Sequence, residues 1–247
     1  MTATEEKTGP APLAVVTGAS GAVGRAIATR LTDSGWQVIA TYRTTAPGPD
    51  APPATWVHYD SAEPRTAIAL HNAVTRAAGP LRAVFACVGA PSSKKPVADT
   101  AAAEFTAVYQ ANVLSLVHTW HALADRARTD RASVVVLGSD AGRAARANNG
   151  PYSAAKAALE SLVVTLAKEE QLHGVRVNLL APSLIDSPLA HHVMALKGVT
   201  DPDAYYAQLP WGRPLTLDEV AAACIDLAAG PQWAYTTGHV YPLGAVS

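Results

Sequence analysis

Short apolar runs alternate with longer stretches in which apolar residues recur at helical spacing, from Leu13 to the end of the chain. Strands that alternate with helices are typical of a parallel sheet covered on both faces. The pattern therefore predicts an α/β fold in three layers, α/β/α, around a doubly wound, seven-stranded parallel sheet. The predicted strands are Leu13–Thr17, Gln37–Tyr42, Thr55–His58, Arg82–Cys87, Ser133–Leu137, Arg176–Leu180 and Val240–Leu243.

The stretches between the strands are rich in helix formers, and several end at a glycine, as helices commonly do. Two segments show neither the strand pattern nor the helix pattern. Residues 44–54 contain four prolines and predict a surface connection. Residues 183 to about 214 are predicted to be irregular, and a loop of that length is typical of a lid over a site. The predicted helices are Ala22–Ser34, Pro64–Ala78, Ala101 to about Arg128, Pro151 to about His173, and Leu217–Ala229.

Length and composition restrict the class of protein. The 247 residues suit one domain, at residues 13–247, after a flexible polar tail at residues 1–12. A net charge of −1 argues against nucleic acid or an anionic membrane as a partner. No apolar run reaches the roughly 18 residues of a membrane span, and the N-terminus has no apolar signal segment. Cys87 and Cys224 stand in apolar surroundings, which predicts reduced core residues of a cytoplasmic protein.

A glycine-rich turn follows the first predicted strand and leads directly into a helix, with the sequence Thr17-Gly18-Ala19-Ser20-Gly21-Ala22-Val23-Gly24. Glycine lets the backbone approach a pyrophosphate, and the start of a helix offers free N–H groups to phosphates. A purely structural turn has the same composition. The glycine-rich turn of this chain, however, lies between the first strand and first helix of a βαβ unit, and this position favours a dinucleotide site.

The end of the second strand predicts which dinucleotide is bound, because the adenosine ribose lies there. A carboxylate at this position selects NAD, whereas the chain has Arg43 and Thr44, with no acid before Asp50. Arginine forms paired hydrogen bonds to phosphate, so NADP(H) is favoured and NAD(H) is the alternative. Asp60, beside Ser61, is a candidate acceptor for the adenine amino group, although an exposed loop aspartate explains it as well.

Tyr152 and Lys156 are spaced by one helical turn, and Ser139 lies thirteen residues before the tyrosine, at the end of a predicted strand. The positive charge of Lys156 is expected to lower the pKa of Tyr152 from its usual value of about 10 toward neutral pH. A serine hydroxyl at the strand end is expected to hold a carbonyl oxygen beside the phenol. An ordinary surface pair on a helix has the same spacing, so these residues alone leave both interpretations open.

With these residues, the chain resembles the classical short-chain dehydrogenases/reductases from Leu13 to Gly244. The resemblance implies a Rossmann fold, NAD(P)(H) as cofactor, and hydride transfer between nicotinamide and a carbonyl or alcohol. It also implies a homodimer or homotetramer. Four residues match the catalytic set of that family: Asn112, Ser139, Tyr152 and Lys156.

The resemblance also supplies the contacts expected around the nicotinamide, where the segment after the sixth strand receives the carboxamide. Combined with the glycine-rich turn and the second strand, it predicts a full set of cofactor contacts. No metal site is predicted. The expected cofactor-binding residues are Gly18, Ser20, Gly21, Val23, Gly24, Arg43, Thr44, Asp60, Ser61, Gly89, Tyr152, Lys156, Pro182, Ile185 and Ser187.

Two departures from the family pattern affect the interpretation. Ala86-Cys87-Val88-Gly89 stands where the family has Asn-Asn-Ala-Gly, so only Gly89 is carried over. Ala22 stands where the classical turn has glycine, and the motif also fits the extended subfamily of epimerases and dehydratases. Members of that subfamily carry a further substrate domain of roughly 100 residues, for which this chain has no room.

The sequence predicts an NADPH-dependent ketoreductase acting on a small carbonyl or alcohol, with an epimerase, a dehydratase or an inactive nucleotide sensor as alternatives. Apolar and aromatic residues of the lid suggest a partly hydrophobic substrate. His191 and His192 are compatible with a metal site but have no identifiable third ligand, which favours a solvated pair. The candidate pocket residues are Leu184, Leu189, His191, His192, Met194, Tyr205, Tyr206, Trp211, Arg143, Arg146 and Asn148.

Overall fold

The structure, a computed structural model, describes residues 9–244, and residues 1–8 of the predicted tail lie outside it. Across the described residues seven strands form one sheet in which all neighbours are parallel. The strands are β1 (Leu13–Thr17), β2 (Gln37–Tyr42), β3 (Thr55–His58), β4 (Leu81–Ala86), β5 (Ser133–Leu137), β6 (Arg176–Pro182) and β7 (Val240–Leu243). Their order in the sheet is β3-β2-β1-β4-β5-β6-β7.

Helices connect the strands and include two short ones in the predicted lid. In the described part of the chain they are α1 (Ala22–Asp33), α2 (Ala67–Arg76), α3 (Ala102–Tyr109), α4 (Ser115–Asp130), α5 (Ala141–Ala144), α6 (Gly150–Glu170), α7 (Pro188–Leu196), α8 (Pro202–Ala207) and α9 (Leu217–Ala229). Short 3-10 turns occupy Pro64–Thr66, Val97–Asp99, Gln171–His173 and Pro231–Trp233, and a π-helical segment occupies Gln110–Leu114.

The two faces of the sheet carry separate cores, because successive side chains of a strand point to opposite faces. Val15 on β1 packs with α2, α4 and α6, whereas its neighbour Val16 packs with α1 and α9. Both valines are fully buried. Burying each such side chain contributes about 1.5–3 kcal/mol to folding. The prediction of a three-layer α/β/α Rossmann fold with a seven-stranded parallel sheet is confirmed.

The strand order creates a crevice at the carboxyl ends of the central strands β1 and β4. From β1 the chain moves outward to β2 and β3, and then returns to place β4 on the other side of β1. At such a switch point the connections leave in opposite directions, and ligands of α/β proteins bind there, at the carboxyl ends of the strands. The turns after β1, β4, β5 and β6 therefore position the site.

Two sequence predictions are wrong in detail. The helix expected from Ala101 to about Arg128 is divided by the π-helical segment, which contains Asn112. The irregular segment at 183–214 contains α7 and α8. Each of these helices begins with a side-chain cap followed by proline: Ser187 accepts a hydrogen bond from the N–H of Ala190, and Asp201 from that of Ala204. This arrangement stabilises a helix start.

Candidate active site

The turn between β1 and α1 is shaped for close approach to a ligand. Gly18 has a φ of +70°, and a β-carbon there would lie 2.9 Å from the carbonyl carbon of Cys87. A β-carbon on Gly24 would lie 2.5 Å from the carbonyl oxygen of Gly18. Helix α1 begins after Gly21 with no side-chain cap, which leaves N–H groups of its first turn available to a ligand, and the residues of this turn line the cleft. This turn therefore fits the pyrophosphate of a dinucleotide.

The end of β2 touches the same turn. The Thr41 hydroxyl accepts a hydrogen bond from the Gly18 N–H at 2.9 Å, and its carbonyl accepts one from the Ser20 N–H at 3.3 Å. Arg43 follows two residues later, with Thr44 beside it, and both are exposed. Arg43 thus lies next to the phosphate turn, although neither it nor Thr44 lines the cleft of the structure.

Asp60 and Ser61 follow β3 and also lie outside the lining of the cleft. One carboxylate oxygen of Asp60 accepts a hydrogen bond from the N–H of Ala62 at 2.9 Å, and its backbone exchanges hydrogen bonds with the Thr66 hydroxyl. Ser61 is buried. Asp60 therefore stabilises its own turn, and a contact from either residue to adenine stays a prediction.

Tyr152 and Ser139 meet at the carboxyl end of β5. The half-buried Tyr152 lies in the first turn of α6, where Pro151 suits the start of the helix. Ser139 accepts a hydrogen bond from the N–H of Ala141 at 3.2 Å, which fixes its hydroxyl at the edge of the cleft. Burial raises the pKa of Tyr152 above 10.0, and the Ser139 side chain acts in the opposite direction.

The raised pKa corrects the sequence prediction that Lys156 would lower it. The Lys156 ammonium lies 5.6 Å from the centroid of the Tyr152 ring and donates a hydrogen bond to the carbonyl of Leu137 at 3.1 Å. Burial lowers the pKa of Lys156 itself to about 8. Desolvation of the phenol is the largest cause of its raised pKa, and the nearby charge of Asp140 adds to it, so Tyr152 is protonated at neutral pH.

Asn112 projects from the π-helical segment toward Lys156 and is almost fully buried. Its Nδ2 donates to the carbonyl oxygens of Ala90, at 2.9 Å, and Val108, at 2.8 Å. Its Oδ1 is buried without a hydrogen-bond partner in the described residues and lies close to Gly89, beside the Lys156 ammonium. A buried amide oxygen of this kind is costly unless a water or ligand group satisfies it.

The segment after β6 forms the opposite wall of the cleft. Pro182, Ile185 and Ser187 all line it, as predicted for residues near the nicotinamide. The Ser187 hydroxyl accepts a hydrogen bond from the N–H of Ala190 at 3.2 Å, so it caps α7. Its own proton is still available to a ligand in the cleft.

These walls enclose one cleft of about 1420 Å³, which extends from the glycine-rich turn to the lid. The glycine turn, the uncapped helix start and this volume fit an NAD(P) molecule. Of the pocket residues predicted from the sequence, those that line the cleft are Leu184, Leu189, Tyr205, Trp211, Arg146 and Asn148.

The other predicted pocket residues are His191, His192, Met194, Tyr206 and Arg143, which do not line the cleft. Arg143 pairs with Glu160 at 3.1 Å. His191 pairs with Asp186 at 2.9 Å, and the Tyr206 hydroxyl donates to the same Asp186 oxygen at 3.3 Å. Asp186 therefore ties both lid helices together. The described residues contain no group of three metal-ligating side chains.

A polar cluster that the sequence analysis missed lies beside Tyr152. Asn149, directly before α6, accepts hydrogen bonds from the Ser92 hydroxyl, at 3.1 Å, and from the Lys94 ammonium. It donates to the Ser153 hydroxyl at 3.2 Å. Lys94 lines the cleft, with its ammonium 5.5 Å from the Tyr152 ring centroid. Because these residues come from segments more than fifty positions apart, hydrophobic spacing gave no signal of their contact.

The fold and the site together define a dinucleotide-binding oxidoreductase, and comparison with known proteins identifies the family. A family model described as enoyl-(acyl carrier protein) reductase matches residues 18–243. L-fucose dehydrogenase of Oryctolagus cuniculus is 28% identical over 223 residues, covering 87% of this chain and 78% of the relative. The cis-4-hydroxycyclohexanecarboxylate dehydrogenase of Sinomonas cyclohexanicum is 29% identical over 227 residues, covering 88% of this chain and 89% of the relative.

A solved structure gives the same result. The structure of an oxidoreductase of the short-chain dehydrogenase/reductase family from Burkholderia thailandensis superposes with a TM-score of 0.81. The two chains are 25% identical in sequence, and the superposition covers 96% of this chain and 92% of the chain of that structure. The chain belongs to the short-chain dehydrogenase/reductase family. It is an NAD(P)-binding oxidoreductase of the kind that acts on alcohol or carbonyl groups, which confirms the predicted family and enzyme class. No helix among residues 9–244 is long and apolar enough to cross a membrane.

Proposed function

We propose that this protein is an NADPH-dependent carbonyl reductase in which Tyr152 donates the proton. The observation that carries the proposal is the environment of the Tyr152 hydroxyl: burial raises its pKa, and Ser139 stands beside it at the mouth of the cleft. A protonated phenol at neutral pH suits an acid that acts during reduction. The opposite reaction, alcohol oxidation, needs the phenolate and is favoured by higher pH.

The proposed reaction needs a carbonyl oxygen placed between two hydroxyl groups. Ser139 and Tyr152 donate hydrogen bonds to that oxygen, so negative charge developing on it is stabilised. NADPH bound along the carboxyl ends of the strands supplies the hydride. Tyr152 then transfers its proton to the alkoxide oxygen, which gives the alcohol.

Lys156 and Asn112 support the return of a proton to Tyr152. The buried Lys156 ammonium lines the cleft and would stabilise negative charge on the phenol after transfer. The unpartnered Oδ1 of Asn112 lies beside it and is suited to hold a water that passes protons inward from solvent.

The preference for NADPH rests on Arg43. It follows β2 next to the phosphate turn, in the place where a carboxylate would select NAD. Its exposed guanidinium is free to turn onto a 2′-phosphate and form paired hydrogen bonds. The dehydrogenase and reductase names of the relatives agree with the chemistry but leave the cofactor open. We also propose a homodimer or homotetramer, as expected from the family resemblance.

The test is net consumption of NADPH, followed by absorbance, with a panel of aldehydes and ketones. Steady loss of NADPH with equal formation of alcohol supports the reductase. An epimerase or dehydratase recycles the nucleotide and gives product without net consumption. A nucleotide sensor binds NADPH without turning over any substrate. Either of these results would contradict the proposal.

A further inference from the structure

The Lys94 side chain is a half-buried cation at the catalytic end of the cleft. It lies in the connection between β4 and α3, with its ammonium 5.5 Å from the centroid of the Tyr152 ring. Among residues 9–244 no carboxylate forms an ion pair with it. Removing part of the water around an ammonium costs free energy, so a counter-charge from outside the chain would stabilise this group.

Two further cations surround Lys94. Burial and, to a smaller extent, the positive charges of Lys197 and Arg146 together lower the pKa of Lys94 to about 8. Lys197 directly follows the lid helix α7, and Arg146 lies in the connection between β5 and α6; both line the cleft. Arg146 pairs with Asp140 at 2.7 Å, which offsets one of the three positive charges. An excess of positive charge therefore faces this end of the cleft.

The chain holds Lys94 in a fixed position. The buried Asn149 accepts one of the hydrogen bonds of the ammonium and is fixed in turn by Ser92 and Ser153. An ammonium has three N–H donors, so donors are left for a ligand. Lys94 also has a φ of 62°, a left-handed conformation that non-glycine residues adopt uncommonly and that concentrates at functional sites.

We propose that the substrate carries an anionic group close to its reacting carbonyl, and that Lys94, with Arg146 and Lys197 around it, binds this group. The proposal rests on the carbonyl reductase function above and names its substrate class. Since the phenol oxygen is bonded to the ring that Lys94 approaches, the anion and the carbonyl lie only a few bonds apart. A carboxylate and a phosphate both have the required charge and acceptor oxygens.

The experiment compares matched pairs of carbonyl compounds that differ in charge. Pyruvate, levulinate and para-acetylbenzoate are each paired with the methyl ester, and dihydroxyacetone phosphate is paired with dihydroxyacetone, so that the two anion types are distinguished. For each compound, kcat/KM with NADPH and calorimetric binding to the NADPH-loaded enzyme are measured. The enzymes are the wild type, Lys94→Gln, the charge-retaining Lys94→Arg, and Lys95→Gln. The last removes an exposed neighbouring charge that does not line the cleft.

We expect at least one anionic member to bind and react better than its neutral partner, and Lys94→Gln to remove about 10- to 100-fold of that advantage. Lys94→Arg should restore most of it, and Lys95→Gln should have no effect. An equal loss for charged and neutral members, or a loss of NADPH affinity instead, would overturn the proposal, as would the absence of any charge preference. Charge-dependent binding without NADPH consumption would support this site while contradicting the reductase function.

Discussion

The side-chain oxygen Oδ1 of Asn112 lies 2.8 Å from the position that a β-carbon would take on Gly89. Two hydrogen bonds hold the Asn112 amide in place, to the carbonyls of Ala90 and Val108, so it cannot move away easily. Gly89 is therefore needed to keep this oxygen open beside Lys156. Of the family's Asn-Asn-Ala-Gly segment, it is the residue retained in this chain.

Gly89→Ala should lower the free energy of unfolding by about 1–3 kcal/mol, because the added methyl group overpacks a fixed neighbour. It should also lower kcat, since it displaces the Asn112 oxygen. Urea unfolding and steady-state kinetics measure both. Gly48→Ala is the control, because a β-carbon there meets no atom within 4 Å. If both variants behave alike, the proposed role of Gly89 is wrong.

Lys156→Met should abolish most of the activity and yet raise the free energy of unfolding at pH 7 by about 1–2 kcal/mol, because a buried charge is removed. Burial lowers the pKa of Lys156 from 10.5 to about 8. Between these values the folded wild type releases a proton that the unfolded chain keeps, so wild-type stability gains as the pH rises.

The difference between Lys156→Met and the wild type should therefore be largest below pH 8 and shrink toward pH 10. Urea unfolding of both proteins at several pH values measures it. A difference that grows as the pH rises would mean that the ammonium is not destabilised by burial.

Arg43→Glu should change the preferred cofactor from NADPH to NADH. A carboxylate at this position repels a 2′-phosphate and accepts a hydrogen bond from a 2′-hydroxyl. We expect the ratio of kcat/KM for NADPH to that for NADH to fall by about 100-fold or more. Arg76→Glu, an exposed charge reversal on α2, is the control. An unchanged ratio would show that Arg43 does not contact the cofactor.

Asp186→Ala should loosen the lid, because Asp186 binds both His191 of α7 and Tyr206 of α8. Trypsin should then cleave faster after the exposed Lys197, and the KM for the carbonyl substrate should rise. Asp203→Ala removes an exposed carboxylate from the same lid and is the control. Equal cleavage rates for the two variants would contradict this account of the lid.

The sheet was predictable because its strands are short, apolar and separated by helices, and the bounds of β1, β2, β3, β5 and β7 agree with the sequence prediction. The π-helical segment was not predictable, since one wider turn hardly changes the spacing of apolar residues. The lid helices left a signal that was overlooked: Ser187-Pro188 and Asp201-Pro202 are each a cap followed by proline at the first helical position.

The site was predictable only where its residues follow a local motif. Tyr152 and Lys156 are one helical turn apart, so their proximity follows from the helix. The pKa of Tyr152 is raised by desolvation in the folded protein, which helical spacing does not reveal, and the predicted direction of its shift was therefore wrong. The Lys94 and Asn149 contact joins two distant connections, and only the tertiary fold brings them together.

The role of Tyr152 as proton donor is tested by the turnover of Tyr152→Phe with NADPH and a carbonyl substrate that the wild type reduces. This change removes one hydroxyl and keeps the ring between its neighbours. We expect kcat to fall by at least about 100-fold while the dissociation constant for NADPH, measured by fluorescence, changes by less than about threefold. A variant that keeps more than about a tenth of the wild-type kcat would contradict the assignment of Tyr152 as the proton donor.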